Sequence, residues 1–199
     1  MIRWLRPLLA RLIGDARAAA AVEFALVAPV FLLVLMGIFD FSMQLYAKSV
    51  LSGAVNRAAR DSALENNSNS QVNIDAAVTA QVRTVFQDGT LSYTRRNYDS
   101  FDDVSKPEPL TDSNANGLRD AGECFTDRNG NNAWDTDRGG TGQGGGDEVV
   151  LYTATMNLTR LFPAWKMLGQ PQISTIRAST VLRNQPFATN TPTSNVICT

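Results

Sequence analysis

An uncharged run, FALVAPVFLLVLMGIF at positions 24–39, constrains this chain more than any other feature. Extending it back to Ala18 adds a single charge, Glu23. About 20 apolar residues in helical conformation cross a hydrocarbon core of roughly 30 Å. A helix apolar on every side needs lipid or a large protein interior around it. The run therefore reads as a transmembrane helix over residues 19–39, with a buried helix of a soluble domain as the rival. Upstream stand Arg3, Arg6, Arg11 and Arg17 against one acid, Asp15, whereas Asp40 comes first downstream. Positive charge resists translocation, so the 1–18 leader stays in the cytoplasm and the rest lies outside, in a single pass. A cleaved secretory signal is the second rival. It needs a small-x-small site after the apolar core, and Asp40-Phe41-Ser42-Met43-Gln44 offers none.

Glu23 stands at the edge of the apolar stretch. A carboxylate there is either kept for a partner or solvated at headgroup depth, and position alone leaves both readings open. The wider pattern is more specific. Arg17-Ala18-Ala19-Ala20-Ala21-Val22-Glu23-Phe24, followed by Ala25-Leu26-Val27-Ala28-Pro29, resembles the N-terminal segment of TadE-like pilus-assembly proteins. These are minor pseudopilins of the tight-adherence pilus machinery, with a basic leader, a small-residue run, and Glu-Phe or Glu-Tyr opening an apolar helix. The resemblance covers roughly residues 11–60. It implies a bacterial inner-membrane protein with a periplasmic C-terminal domain, whose partners are lipid, a prepilin peptidase and other pseudopilins or pilus-assembly proteins. It also implies a cut between Ala18 and Ala19 that leaves Glu23 fifth in the mature chain. Ala18 stands where the family commonly has Gly, and Gly14 lies four residues earlier. A new α-amino group in the membrane needs a counter-charge, which Glu23 can supply.

Beyond the membrane, Phe39, Met43, Tyr46, Val50, Ala54 and Ala58 recur at helical steps, so the helix continues as a stalk over 40–65. The polar run Asn66-Asn67-Ser68-Asn69-Ser70 reads as a loop. Ile74, Val78, Val82 and Val85 then predict an amphipathic second helix, ended by Asp88-Gly89. Strands are expected from Leu91, over 149–156 and over 173–182, with a short helix at 161–168. The fold class is α+β: a transmembrane helix extended as a stalk, then a small extracytoplasmic head over 66–199 with an antiparallel sheet and calcium-type loops at 112–138.

Those loops begin Asp112-Ser113-Asn114-Ala115-Asn116-Gly117 and continue Leu118-Arg119-Asp120-Ala121-Gly122-Glu123. Oxygen side chains fall at positions 1, 3, 5, 9 and 12, Gly sits at 6, and position 7 (Leu118) offers its carbonyl, which is EF-hand ligand spacing. Calcium takes six to eight hard oxygens, and alternate residues of a curling loop aim them at one centre. Fifteen residues on, Asp127, Asn129, Asn131 and Asp135 repeat the pattern. The second copy has Asn132 at position 6 and Arg138 at 12, leaving Asp137 or the Asp147-Glu148 pair as substitutes. A solvated Asn/Asp/Gly turn region without metal is the competing account. Structural calcium is the expected cofactor.

Histidine is absent, which removes the commonest general base and zinc ligand. Asp120 with Glu123 could pair as general acid and base, but neither a nucleophile nor a serine elbow accompanies them. No enzyme is expected. Nor is a nucleic-acid surface, since acids crowd residues 99–148 and the formal net charge is −1. The glycines at 139–146 have no GKS or GKT ending and read as a flexible linker. Cys124 and Cys198 are expected to pair in an oxidising compartment, with two free thiols or an intermolecular bond as the alternatives. Two functions follow: a minor pseudopilin of a tight-adherence pilus with a calcium-stabilised head, or a membrane-anchored calcium-binding adhesion or interaction module.

Overall fold

The computed structural model describes residues 16–64, 70–184 and 194–198; most of the arginine-rich leader, Gly14 and the Asn/Ser run at 66–69 lie outside them. Helix α1 (Ala16–Leu64) runs 49 residues without interruption, and Pro29 inside it does not end it. Alanine, leucine and valine dominate its first half, and all suit a helix surrounded by lipid, where every backbone group must bond within its own segment. Val22, Phe24, Leu26, Val30 and Phe31 are each more than half exposed there.

Two compact units are present. One joins α1 up to Tyr46 with Arg160–Ser174, and the other holds Ala47–Thr159 and the chain from Thr175 onward. In the first unit, Phe39 and Phe162 hold their rings 6.0 Å apart. Arg160 Nη1 donates to Asp40 Oδ2 at 2.5 Å, and Gln44 Nε2 donates to the same oxygen at 2.9 Å. Helix α3 (Ala164–Met167) is a single turn.

The second unit is the α+β head. Helix α2 (Ser70–Arg83) precedes strand β1 (Thr90–Tyr98), β2 (Cys124–Asp127), β3 (Gly140–Thr141), β4 (Val149–Thr159), β5 (Ile173–Arg183) and β6 (Asn195–Cys198). The main sheet has the order β3-β1-β4-β5, and β2 pairs with β6 in a second sheet. Strand β1 pairs antiparallel with β4, from Thr90 opposite Asn157 to Tyr98 opposite Val149. The core combines Ala47, Leu51, Ala54, Val55 and Ala58 of α1, Ile74, Val78 and Val82 of α2, and Tyr152, Ala154, Met156, Ile176 and Ala178 of the sheet. The expected stripe is buried in its second half, where Ala54 and Ala58 lie in the core and Val50 packs against it, whereas Phe39, Met43 and Tyr46 are exposed. Small residues at 47, 54 and 58 let the helix approach its neighbours closely.

A polar network fixes α2 against the sheet. Asp75 accepts from Arg95 Nη2 at 2.6 Å and from the Tyr152 hydroxyl at 2.7 Å. Thr79 shares a 2.6 Å hydrogen bond with the Tyr93 hydroxyl, and the Tyr93 and Tyr152 rings stack at 5.9 Å. Burial pushes both phenols above their ordinary pKa, and for Tyr152 the bond to Asp75 adds to the rise. Such a network is satisfied in one register only, so it specifies the packing of α2.

The glycine run is not a linker. Gly140 and Thr141 pair with Asn97 and Arg96 as an edge strand, and a Cβ on Gly139 would lie 2.7 Å from Tyr98 Cζ. Glycine is there because another side chain occupies the space, a requirement that composition does not display.

Leu51 is wholly buried on the head face of α1. Leu51→Ala is expected to lower the stability of the head by about 2–5 kcal/mol, read as a lower thermal midpoint with the helical signal of the folded state retained.

Candidate functional site

The two loops form a symmetric pair. Repeat one, EPLTDSNANGLRDAG at 108–122, and repeat two, ECFTDRNGNNAWDTD at 123–137, align over 15 residues. They meet through a bridge between Leu110 and Phe125. Thr111 N donates to Cys124 O at 2.8 Å and Thr126 N to Pro109 O at 2.9 Å. Each of these bonds is the other's counterpart in the repeat.

In loop one, Asp112 accepts from Gly117 N at 2.7 Å and Asn116 N at 3.3 Å. Asn114 and Asn116 both donate to Asp120 Oδ2, at 2.6 and 2.8 Å. Leu118 N donates to Asn116 Oδ1 at 2.7 Å. Loop two reproduces the arrangement. Asp127 accepts from Gly130 N at 2.7 Å and Asn132 N at 2.9 Å, and Asn129 and Asn131 donate to Asp135 Oδ2 at 2.8 and 2.6 Å. The structure therefore brings Asp112, Asn114, Asn116 and Asp120 together in one loop and Asp127, Asn129, Asn131 and Asp135 in the other. Backbone N–H groups, Gly117 first among them, hold the Asp112 carboxyl below its ordinary pKa.

Asn132 at position 6 does not spoil the second loop. It takes φ 62°, close to the 75° of Gly117, and asparagine enters this left-handed region more readily than other side chains. Position 4 repeats the match, with Ala115 at 58° and Gly130 at 76°. The two loops share one backbone shape.

Closure corrects the expectation for position 12. Glu123 closes loop one: Oε1 accepts from Ser113 N at 2.8 Å, Oε2 from Asp120 N at 3.0 Å, and Glu123 N donates to Asp120 O at 3.1 Å. In loop two the same three bonds come from Glu108, one repeat upstream. Its Oε1 accepts from Arg128 N at 2.7 Å, its Oε2 from Asp135 N at 3.1 Å, and its N–H donates to Asp135 O at 2.9 Å. Each repeat's leading glutamate closes the loop of the other repeat, and Glu108, Glu123 and Asp127 are all at least 95% buried. The anticipated substitutes are engaged elsewhere. Asp137 accepts from Tyr98 and Arg96, Glu148 from Asn97 and Gly145 N, and Asp147 from Arg183. Arg138 instead binds Asp103 and the Pro107 carbonyl, which steadies the arm carrying Glu108. The signal for Glu108 was present in the sequence as Glu-x-x-Thr-Asp at 108–112 and again at 123–127.

The donor set is entirely hard oxygen, three carboxylates and two amides per loop, which matches the preference of calcium. Among the described residues, no three Asp, Glu, His or Cys side chains cluster closely enough to hold a metal by themselves. Cys124 and Cys198 are joined in a disulfide. They face each other across the β2–β6 ladder, so the C-terminal strand is fixed to the entrance of loop two.

The second candidate region is the start of α1. Ala18, Ala19 and Glu23 lie in its first turns, and Glu23 is exposed. Of the described helices, α1 alone is long and apolar enough to cross a membrane, and none of its most apolar window is buried. Residues 18–60 match the model of the TadE-like protein family. This stretch is similar to TadE-like proteins. The match ends inside α1, so the sheet and the paired loops lie outside the TadE-like segment. No curated protein and no solved structure matches the chain.

Two outcomes follow from the loop geometry. Glu108→Ala leaves the Arg128 and Asp135 amides without their acceptor at a cost of about 1–3 kcal/mol, so their hydrogen exchange should quicken by about tenfold or more, whereas Asp137→Ala should leave both unchanged. Asp112 has its pKa lowered on folding, so its contribution is present above the ordinary value of 3.8 and is lost as pH falls through the folded value. Acid titration followed by NMR should show the Gly117 amide losing protection below that ordinary value.

Proposed function

We propose that this protein is a pseudopilin-type subunit associated with a tight-adherence pilus, anchored in the bacterial inner membrane by α1 with its N-terminus in the cytoplasm and its head in the periplasm. The observation that carries this reading is the TadE-like segment at 18–60, which coincides with a continuous helix. The first half of that helix exposes apolar side chains, and its second half is built into the core of the head. In this reading the work is done by packing: helix against helix in the bilayer and head against partner outside it, with no catalytic cycle. A prepilin peptidase cuts between Ala18 and Ala19, and Glu23 answers the charge of the new amino terminus on its own or a neighbouring chain.

Calcium belongs to the same proposal as a structural ion. Asp112, Asn114, Asn116, Leu118, Asp120 and Glu123 would hold it in loop one, and Asp127, Asn129, Asn131, Asp135 and Glu108 in loop two. In this reading a divalent cation neutralises the three carboxylates that each loop supplies. What supports the reading is the oxygen-only donor set and its repetition in two loops of one backbone shape.

Intact mass of the membrane-extracted protein, from cells with and without their prepilin peptidase, tests the first part. The expected result is loss of residues 1–18 only when the peptidase is present, and Glu23→Gln should impair assembly into the pilus machinery. An uncleaved chain in both strains argues for a simple tether. Calcium at 100 times its dissociation constant should stabilise the head by about 2.7 kcal/mol. An unchanged thermal midpoint in calcium and in chelator removes the metal from the account while leaving the pilus reading intact.

A further inference from the structure

Between β4 and β5 the chain makes an excursion whose side chains are on the wrong side for a water-facing connection. Leu161 is 72% exposed and Met167 74%, and Leu168 and Ile173 are also more than half exposed. The segment is folded: Arg160 N donates to Gln172 O at 3.0 Å, Leu168 N to Ala164 O at 3.0 Å and Gln170 N to Trp165 O at 2.8 Å. Its apolar exposure is therefore held in place by backbone bonds.

Its position within its own unit says what covers it. Phe162 meets Phe39, the last residue of the uncharged run, and Arg160 pairs with Asp40, the first charge after it. Both side chains of that pair are nearly buried, at 14% and 16% exposure. The excursion thus sits at the level where α1 leaves the hydrocarbon, continuous with a helix surface on which Ile38, Phe39 and Phe41 are over half exposed. Pairing neutralises the two charges nearest that level, which lowers the cost of bringing both close to lipid. Trp165 and Lys166 supply residue types that favour the headgroup region, an amphipathic ring and an amine on an apolar stem.

We propose that residues 160–172 form an interfacial anchor, laying Leu161, Trp165, Met167 and Leu168 into the headgroup–acyl boundary of the bilayer that α1 crosses. The occupant of this apolar surface is lipid, because the surface continues that of the membrane helix. The inference rests on the membrane reading of α1. Its consequence is that this unit meets the bilayer at two points, α1 and the excursion.

The test uses the full chain in phosphatidylcholine nanodiscs, one copy per disc, with unbrominated or shallow-brominated acyl chains. Emission from the full chain minus that from Trp165→Phe isolates Trp165. Insertion by about 5–10 Å brings the indole within reach of the bromines, so about half of this difference emission should be lost in brominated lipid. Replacing Leu161, Met167 and Leu168 together by serine should abolish that loss while leaving the head's thermal midpoint unchanged. A Trp165 component that is unquenched by brominated lipid and open to acrylamide overturns the proposal. So does one shielded from acrylamide only when several copies share a disc, which would assign the surface to a second copy of the chain. Phe31→Trp in the Trp165→Phe background separates the two failures. Quenching at position 31 without quenching at 165 rejects the anchor alone, whereas quenching at neither position rejects the membrane reading of α1 as well.

Discussion

Continuity of α1 is the constraint on which the other features depend. A backbone in hydrocarbon must satisfy its own hydrogen bonds, so the apolar run has to be helical. Nothing between Phe39 and Leu64 supplies a strong stop: Gly53 is the only glycine in that stretch and proline is absent. The helix therefore carries on past the apolar run, and a lone helix of that composition is marginal in water without a partner for its apolar face. The head provides the partner. Ala47, Leu51, Ala54, Val55 and Ala58 become core residues, and α2 and the sheet assemble against them. One element thus joins a half whose apolar side chains are exposed to a half packed into the head, and the residue types change from bulky and uniformly apolar to small and one-sided.

How much of this was legible in the sequence depended on the range of the information. The long apolar helix, α2 and strands β1, β4 and β5 announced themselves by local periodicity, whereas the short strands β2, β3 and β6 did not. The face of α1 that packs was legible only in part, at Val50, Ala54 and Ala58, because a helix rich in apolar residues offers several stripes and the choice among them is made by what packs against it. Glycine at 139–146 was misleading for a related reason. Close approach to Tyr98 and Glu148 is a three-dimensional demand, and the same residues without those neighbours would be a flexible tether.

The loops show the same distinction more sharply. Positions 1 to 9 of each are local, and their spacing was sufficient to find them. Position 12 is local in loop one, where Glu123 lies three residues beyond Asp120. In loop two it is supplied by Glu108, from 27 residues before Asp135. Searching forward from Asp135 could only reach Asp137, Asp147 and Glu148, each of which has another partner. Reading the repeat from its first glutamate would have identified Glu108, since the unit is Glu-x-x-Thr-Asp and the two units exchange their glutamates about a shared bridge.

That exchange alters what the disulfide does. If each loop were closed by its own residues, the Cys124–Cys198 bond would only hold down the C-terminus. Because the leading strand of repeat two also carries Glu123, the closing residue of loop one, a restraint at Cys124 acts on both loops. Phe125, one residue on, is 2% exposed and forms the bridge to Leu110, next to the arm bearing Glu108. Strand β6 pairs along the whole of β2, from Cys124 opposite Cys198 to Asp127 opposite Asn195, so it reaches position 1 of loop two as well. Covalent closure of a 74-residue separation limits the unfolded chain in a way that side-chain hydrogen bonds at an exposed loop do not. The disulfide and the reciprocal glutamates therefore act on the same strand pair, one by restricting the disordered alternatives and the other by fixing the shape of the loops.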